Sequence, residues 1–114
     1  MSTIKSTLFL GALISFQAFA KDIDLRCTAL INTQLILDRN IKLVSGTRGM
    51  FIGKAAGLDF FLTHSGENTV ELQALNAYEP SRTYATANIS EAGSFVDLSI
   101  WKREYVLEAR CTAY

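Results

Sequence analysis

The chain holds only two cysteines, and each sits in a segment of two-residue hydrophobic alternation at one end of the sequence. From Asp22 to Ile31, the residues Ile23, Leu25, Cys27, Ala29 and Ile31 alternate with Asp22, Asp24, Arg26 and Thr28. Near the other end, Tyr105, Leu107, Ala109 and Cys111 alternate with Glu104, Glu108, Arg110 and Thr112, with Val106 the one apolar residue on the polar parity. Successive strand side chains point to opposite faces, so each pattern predicts a strand with one buried face. Both sulfurs fall on that buried face. Their neighbours also match, Arg26-Cys27-Thr28-Ala29 against Arg110-Cys111-Thr112-Ala113. A redox pair would need CxxC spacing, and a zinc site would need more ligands than two cysteines and one histidine supply. The expectation is a structural disulfide closing a loop of about 85 residues, which the chain-entropy model values at about 4–5 kcal/mol.

A disulfide presupposes an oxidising compartment, and the start of the chain agrees. Residues 1–20 read as a cleaved secretory signal peptide: Lys5 gives the positive start, residues 8–16 the short apolar core, and Ala18-Phe19-Ala20 the small residues before the cut. The uncharged stretch ending at Ala20 is too short to span a bilayer, which takes roughly 18–20 residues. Lys21, where a lipoprotein would have cysteine, predicts no lipid anchor. The expected product is residues 21–114, a single periplasmic or secreted domain with no stable membrane anchor. Lys5 leaves with the leader and no acid does, so the 11 bases and 11 acids of the whole chain become a slight acidic excess. That balance is not the footprint of a nucleic-acid binder.

Period-two patterning continues between the ends. Gln34 to Val44 carries Leu35, Leu37, Ile41 and Leu43 on one parity, interrupted at Asp38-Arg39-Asn40 by a bulge or a turn. Met50 to Lys54 is a short apolar run between glycines. Residues 58–75 form a hairpin around the turn Ser65-Gly66-Glu67-Asn68. Pro80 precedes a further strand, and Val96, Leu98 and Ile100 oppose Asp97 and Ser99 in another. Residues 73–79 hold one helical turn at most. The fold class predicted is all-β, with seven or eight short antiparallel strands in a small β-barrel or β-sandwich. The barrel is the preferred form, because it makes the first and last strands neighbours.

No reaction centre is legible, so no catalytic, cofactor-binding or metal-ligating residue is assigned and the chain is read as a non-enzyme. His64, the only histidine, reads as a polar residue beside a turn. Residues 45–49 (Ser-Gly-Thr-Arg-Gly) lack the phosphate-loop spacing and read as a hairpin loop. Asp22 and Asp24, together with Asp97 or Glu67, do not form the dense acidic loop of a calcium site. Asn88-Ile89-Ser90 fits the N-glycosylation pattern, which matters only in a host that glycosylates. The aromatics are more informative. If Phe60 is in the core, Phe61 points outward. If Val96, Leu98 and Ile100 are in the core, Phe95 and Trp101 point outward. Phe61, Phe95 and Trp101 are therefore the candidate contact patch. The function expected is a non-catalytic binding module for a protein or glycan. Two alternatives stand beside it: a periplasmic inhibitor of a lysozyme or protease, acting through loop 45–49 or 79–83, and a carrier of a small apolar ligand in a barrel interior.

Overall fold

The computed structural model of the protein describes residues 22–114; the signal-peptide reading falls outside them. Eight strands follow in chain order: β1 (Ile23–Ile31), β2 (Gln34–Leu43), β3 (Met50–Ala55), β4 (Leu58–Ser65), β5 (Thr69–Asn76), β6 (Ser81–Asn88), β7 (Phe95–Trp101) and β8 (Val106–Ala113). They make two antiparallel four-stranded sheets. Sheet A has the order β2-β1-β8-β7 and sheet B the order β3-β4-β5-β6.

The cysteines stand directly opposite each other on β1 and β8, their Cα atoms 4.0 Å apart, and are joined as a disulfide. Flanking backbone bonds explain the close approach. Tyr114 N–H donates to the Asp24 carbonyl and Asn32 N–H to the Val106 carbonyl. The even-numbered residues of β1 therefore occupy the hydrogen-bonded pairs, and Cys27 and Cys111 fall in a narrow, non-hydrogen-bonded pair. The matching RCTA segments are thus two halves of one ladder. Such a bridge fits an oxidising environment.

The core lies between the sheets. Leu25, Ala29 and Leu43 of sheet A and Leu62, Val70 and Leu72 of sheet B have no exposed surface, and Phe60 is almost as deeply buried. Each comes from the apolar parity of its strand, which is why period-two sequence becomes a two-layer structure.

The sheets do not close into a barrel, so the preference for that form is corrected to a sandwich. Side chains occupy one of the corners where a ladder would have to continue. Between β2 and β3, Arg39 Nη1 donates to the Ile52 carbonyl at 2.7 Å, taking an acceptor that a neighbouring strand would use. Leu37 lies over Gly53, where β3 shifts register against β4. At the other corner, β6 is followed by Ile89, which is buried and donates its N–H to the Asn68 carbonyl. The chain is thereby drawn toward the β4–β5 turn, and β6 pairs with β5 alone. The first and last strands are neighbours nonetheless, within sheet A rather than across a barrel seam.

Two local expectations also change. The run from Gln34 is one strand, and its irregularity lies near Leu35 rather than at Asp38-Arg39-Asn40. That shift turns Leu35 to the outside, where it is 50% exposed. No helical turn forms at 73–79: β5 runs to Asn76, whose Oδ1 accepts from the N–H groups of Tyr78 and Glu79 in an Asx-type turn.

Candidate binding surface

With the core settled, the outward parity of each strand defines what a partner can meet. On sheet A, three cross-strand rows are polar or aromatic–polar. Phe95, Thr112, Arg26 and Asn40 stand side by side; below them come Asp97, Arg110, Thr28 and Asp38. Ser99 and Glu108 follow, and there the row changes character, because the next residues are Leu30 and Leu35. Trp101 pairs with Val106 at the end of the sheet. Leu35 with Leu30 and, one row further and diagonally placed, Val106 with Trp101 put apolar side chains on all four strands at this end of the sheet, with Trp101 79% exposed.

Four of the charges on this face are held in two pairs. Arg26 grips Asp38 with two parallel bonds, Nε to Oδ1 at 3.0 Å and Nη2 to Oδ2 at 2.7 Å. The hydrogen bond and the positive charge of Arg26 hold the Asp38 carboxyl below the usual carboxylate range, and the same contact raises Arg26 above its ordinary value. Arg110 donates to Asp97 at 3.0 Å while its guanidinium lies 4.2 Å from the centre of the Phe95 ring.

Side-chain length gives the face relief. Thr28 and Thr112 are short and sit on the two central strands, whereas Arg26, Arg110 and Tyr114 are long. A depression of about 520 Å³ opens over Arg26, Thr28, Asn40, Thr112 and Tyr114. A second, of about 290 Å³, lies toward Ser99 and Glu108, and Thr28 borders both. Sharing Thr28, the two form a shallow trough that leads from Tyr114 to Leu30.

The three residues proposed as a contact patch are divided by this architecture. Phe95 and Trp101 project from the outer face of sheet A, at opposite ends of β7 and about 20 Å apart at the strand rise per residue. Phe61 projects from the outer face of sheet B, half-buried, its ring 5.7 Å from that of Phe51 in an edge-to-face contact. Its row continues through Gln73 to Tyr84, over which the Arg82 guanidinium sits at 4.6 Å. Phe51 and Leu30 are not among the outward residues expected from sequence, and Leu35 is expected on the parity of Leu37, Ile41 and Leu43. Leu30 was nevertheless detectable as an apolar residue on the polar parity of β1. Leu35 was not, because its orientation depends on the bulge.

His64 is the one buried polar side chain of the described residues, 1% exposed, on the same inward parity as Leu58, Phe60 and Leu62. Its Nε2 lies 3.3 Å from the Glu67 carbonyl, and its Nδ1 meets no partner. It belongs to the core edge and faces away from the trough. Loop 45–49 is laced to β4 through His64 N–H to Thr47, Gly46 N–H to His64 and Gly49 N–H to Thr63 Oγ1. Asp22 contacts the Ser45 amide through Oδ1 at 3.5 Å. Among the described residues no cluster of three or more His, Cys, Asp or Glu is placed to hold a metal ion.

Comparison with protein-family models, with curated proteins and with solved structures finds no match.

Proposed function

We propose that the chain is an exported, non-catalytic binding module that meets its partner through the outer face of sheet A. The observation that carries this reading is a pair of apolar cross-strand couples, Leu35–Leu30 and Val106–Trp101, set diagonally across the outer face of sheet A and ending in a largely exposed tryptophan. Scattered exposed apolar residues are ordinary, but such couples gathered at one end of a sheet with an exposed indole are what a contact surface uses. Export is supported by the leader-like residues 1–20 and by the disulfide, and it places the module in the periplasm or outside the cell. The carrier reading gains nothing from the fold, because Leu25, Phe60, Leu62 and Leu72 fill the space between the sheets.

The test is a pull-down from the native envelope and culture fluid with two baits, the oxidised protein and its Trp101→Ala variant. A species retained by the first and lost from the second, with an unchanged melting temperature, is the expected result. Identical retention by both baits contradicts the reading.

A further inference from the structure

We infer that the trough on sheet A takes a neutral, hydroxyl-rich oligosaccharide, lying from Tyr114 past Thr28 toward Trp101. The inference rests on the binding-module reading and names the chemical class of its ligand.

Electrostatics comes first. The two arginines bordering the trough are already committed to carboxylates, Arg26 to Asp38 and Arg110 to Asp97. Neither cation is free to neutralise an anionic ligand without breaking a short ion pair. Glu108, for which no ion pair stands among the described residues, adds a negative charge at the lower depression. An anionic chain is therefore disfavoured, because neither depression is lined by a cation outside those two pairs.

Hydrogen-bonding capacity comes second. The remaining polar groups are the hydroxyls of Thr28, Thr112 and Ser99 and the amide of Asn40. Each both donates and accepts. That is the complement of a sugar hydroxyl, which does the same. An extended peptide binds a sheet by pairing with a free strand edge. β1 and β8 are interior strands with both ladder sides occupied, so the floor of the trough presents side chains and no free strand edge.

Aromatic rings come third. Tyr114, 65% exposed, borders the upper depression, and Trp101 stands beyond the lower one. The electron-rich ring faces suit the C–H faces of pyranose rings, while Tyr and Trp also offer a polar tip. Tyr114 of the upper depression and Glu108 of the lower one are six residues apart on an extended chain, about 20 Å at the strand rise, a span that suits several sugars rather than a single one.

The experiment is a calorimetric titration of the oxidised protein with cellohexaose, maltohexaose and chitohexaose, and with an anionic oligogalacturonate of like length. Two variants accompany it. Thr28→Tyr fills the floor shared by both depressions, and Thr86→Tyr places the same ring on the outer face of sheet B. Expected is binding of at least one neutral hexaose, weakened about tenfold or more in T28Y and unchanged in T86Y. T28Y must melt with the parent; if it does not, Thr28→Val, which exchanges the hydroxyl for a methyl of like size, takes its place. Preference for the oligogalacturonate, or neutral binding indifferent to Thr28, overturns the inference. No saccharide binding together with a protein captured only when Trp101 is present overturns it while leaving the module reading intact. Failure of both measurements removes both.

Discussion

Cutting the Cys27–Cys111 bridge is the perturbation with the largest expected effect. The two residues are separated by 84 positions, and the chain-entropy model assigns a loop of that length about 4–5 kcal/mol of destabilisation of the unfolded ensemble. A domain of this size shifts its melting temperature by about 4–8 °C for each kcal/mol. The double variant Cys27→Ala/Cys111→Ala is therefore expected to melt roughly 15–40 °C below the oxidised parent. Both side chains are buried, so the alanine pair also leaves small voids; a Cys27→Val/Cys111→Val pair refills the site and separates packing from chain entropy. The assay is urea unfolding followed by far-ultraviolet circular dichroism, alongside thermal melts with and without reductant. Opening the loop also expands the unfolded chain, so the denaturant slope rises with the loss of stability. A fall of less than about 5 °C in both variants, with an unchanged slope, refutes the reasoning.

Four further outcomes follow from the same structure. Phe60→Ala empties the centre of the core between the sheets and is expected to cost about 3–5 kcal/mol in urea unfolding. Gly53→Ala puts a methyl carbon 2.8 Å from Leu37 Cδ1 at a backbone φ of 154°; the expected cost is about 1–3 kcal/mol, smaller when Leu37→Ala is added, and equal costs in both backgrounds contradict the contact. Thr33 adopts a φ of 70° in the two-residue β1–β2 turn, where a β-branched residue is strained, so Thr33→Gly is expected to stabilise by about 1 kcal/mol. Because Arg26 holds the Asp38 carboxyl below its ordinary range, the pair's contribution is complete above that range and disappears as pH falls through the lowered value. Asp38→Asn is expected to flatten the acid limb of melting temperature against pH, and added salt to diminish the difference between variant and parent.

What could be read from sequence divides along a physical line. Strand identity and the inward residues followed from alternation alone, because a half-buried strand has one polar and one apolar parity. Thus Cys27 and Cys111, placed inward by parity, prove to be cross-strand neighbours. The hairpin of β4 and β5 was equally legible, its turn residues matching Ser65 paired with Thr69. Closure was not legible. Whether eight strands form a barrel or a sandwich is decided at the β2–β3 and β6–β7 corners by Arg39, Leu37 and Ile89, whose positions depend on tertiary contacts. A one-residue register shift near Leu35 likewise reverses the face of a side chain and leaves no local signature. The surface was half legible: Trp101 and Phe95 point outward as their parity requires, but assigning them and Phe61 to opposite faces of the sandwich needed the order of strands.

The sheet A site is tested most directly by an amide-resolved nuclear magnetic resonance titration of the oxidised protein with the neutral hexaose that binds best. Shifts are expected only in sheet A and at Tyr114, strongest around Thr28, Thr112, Ser99 and Asn40. Shifts centred instead on Phe51, Phe61 and Tyr84 of the opposite sheet would contradict that site.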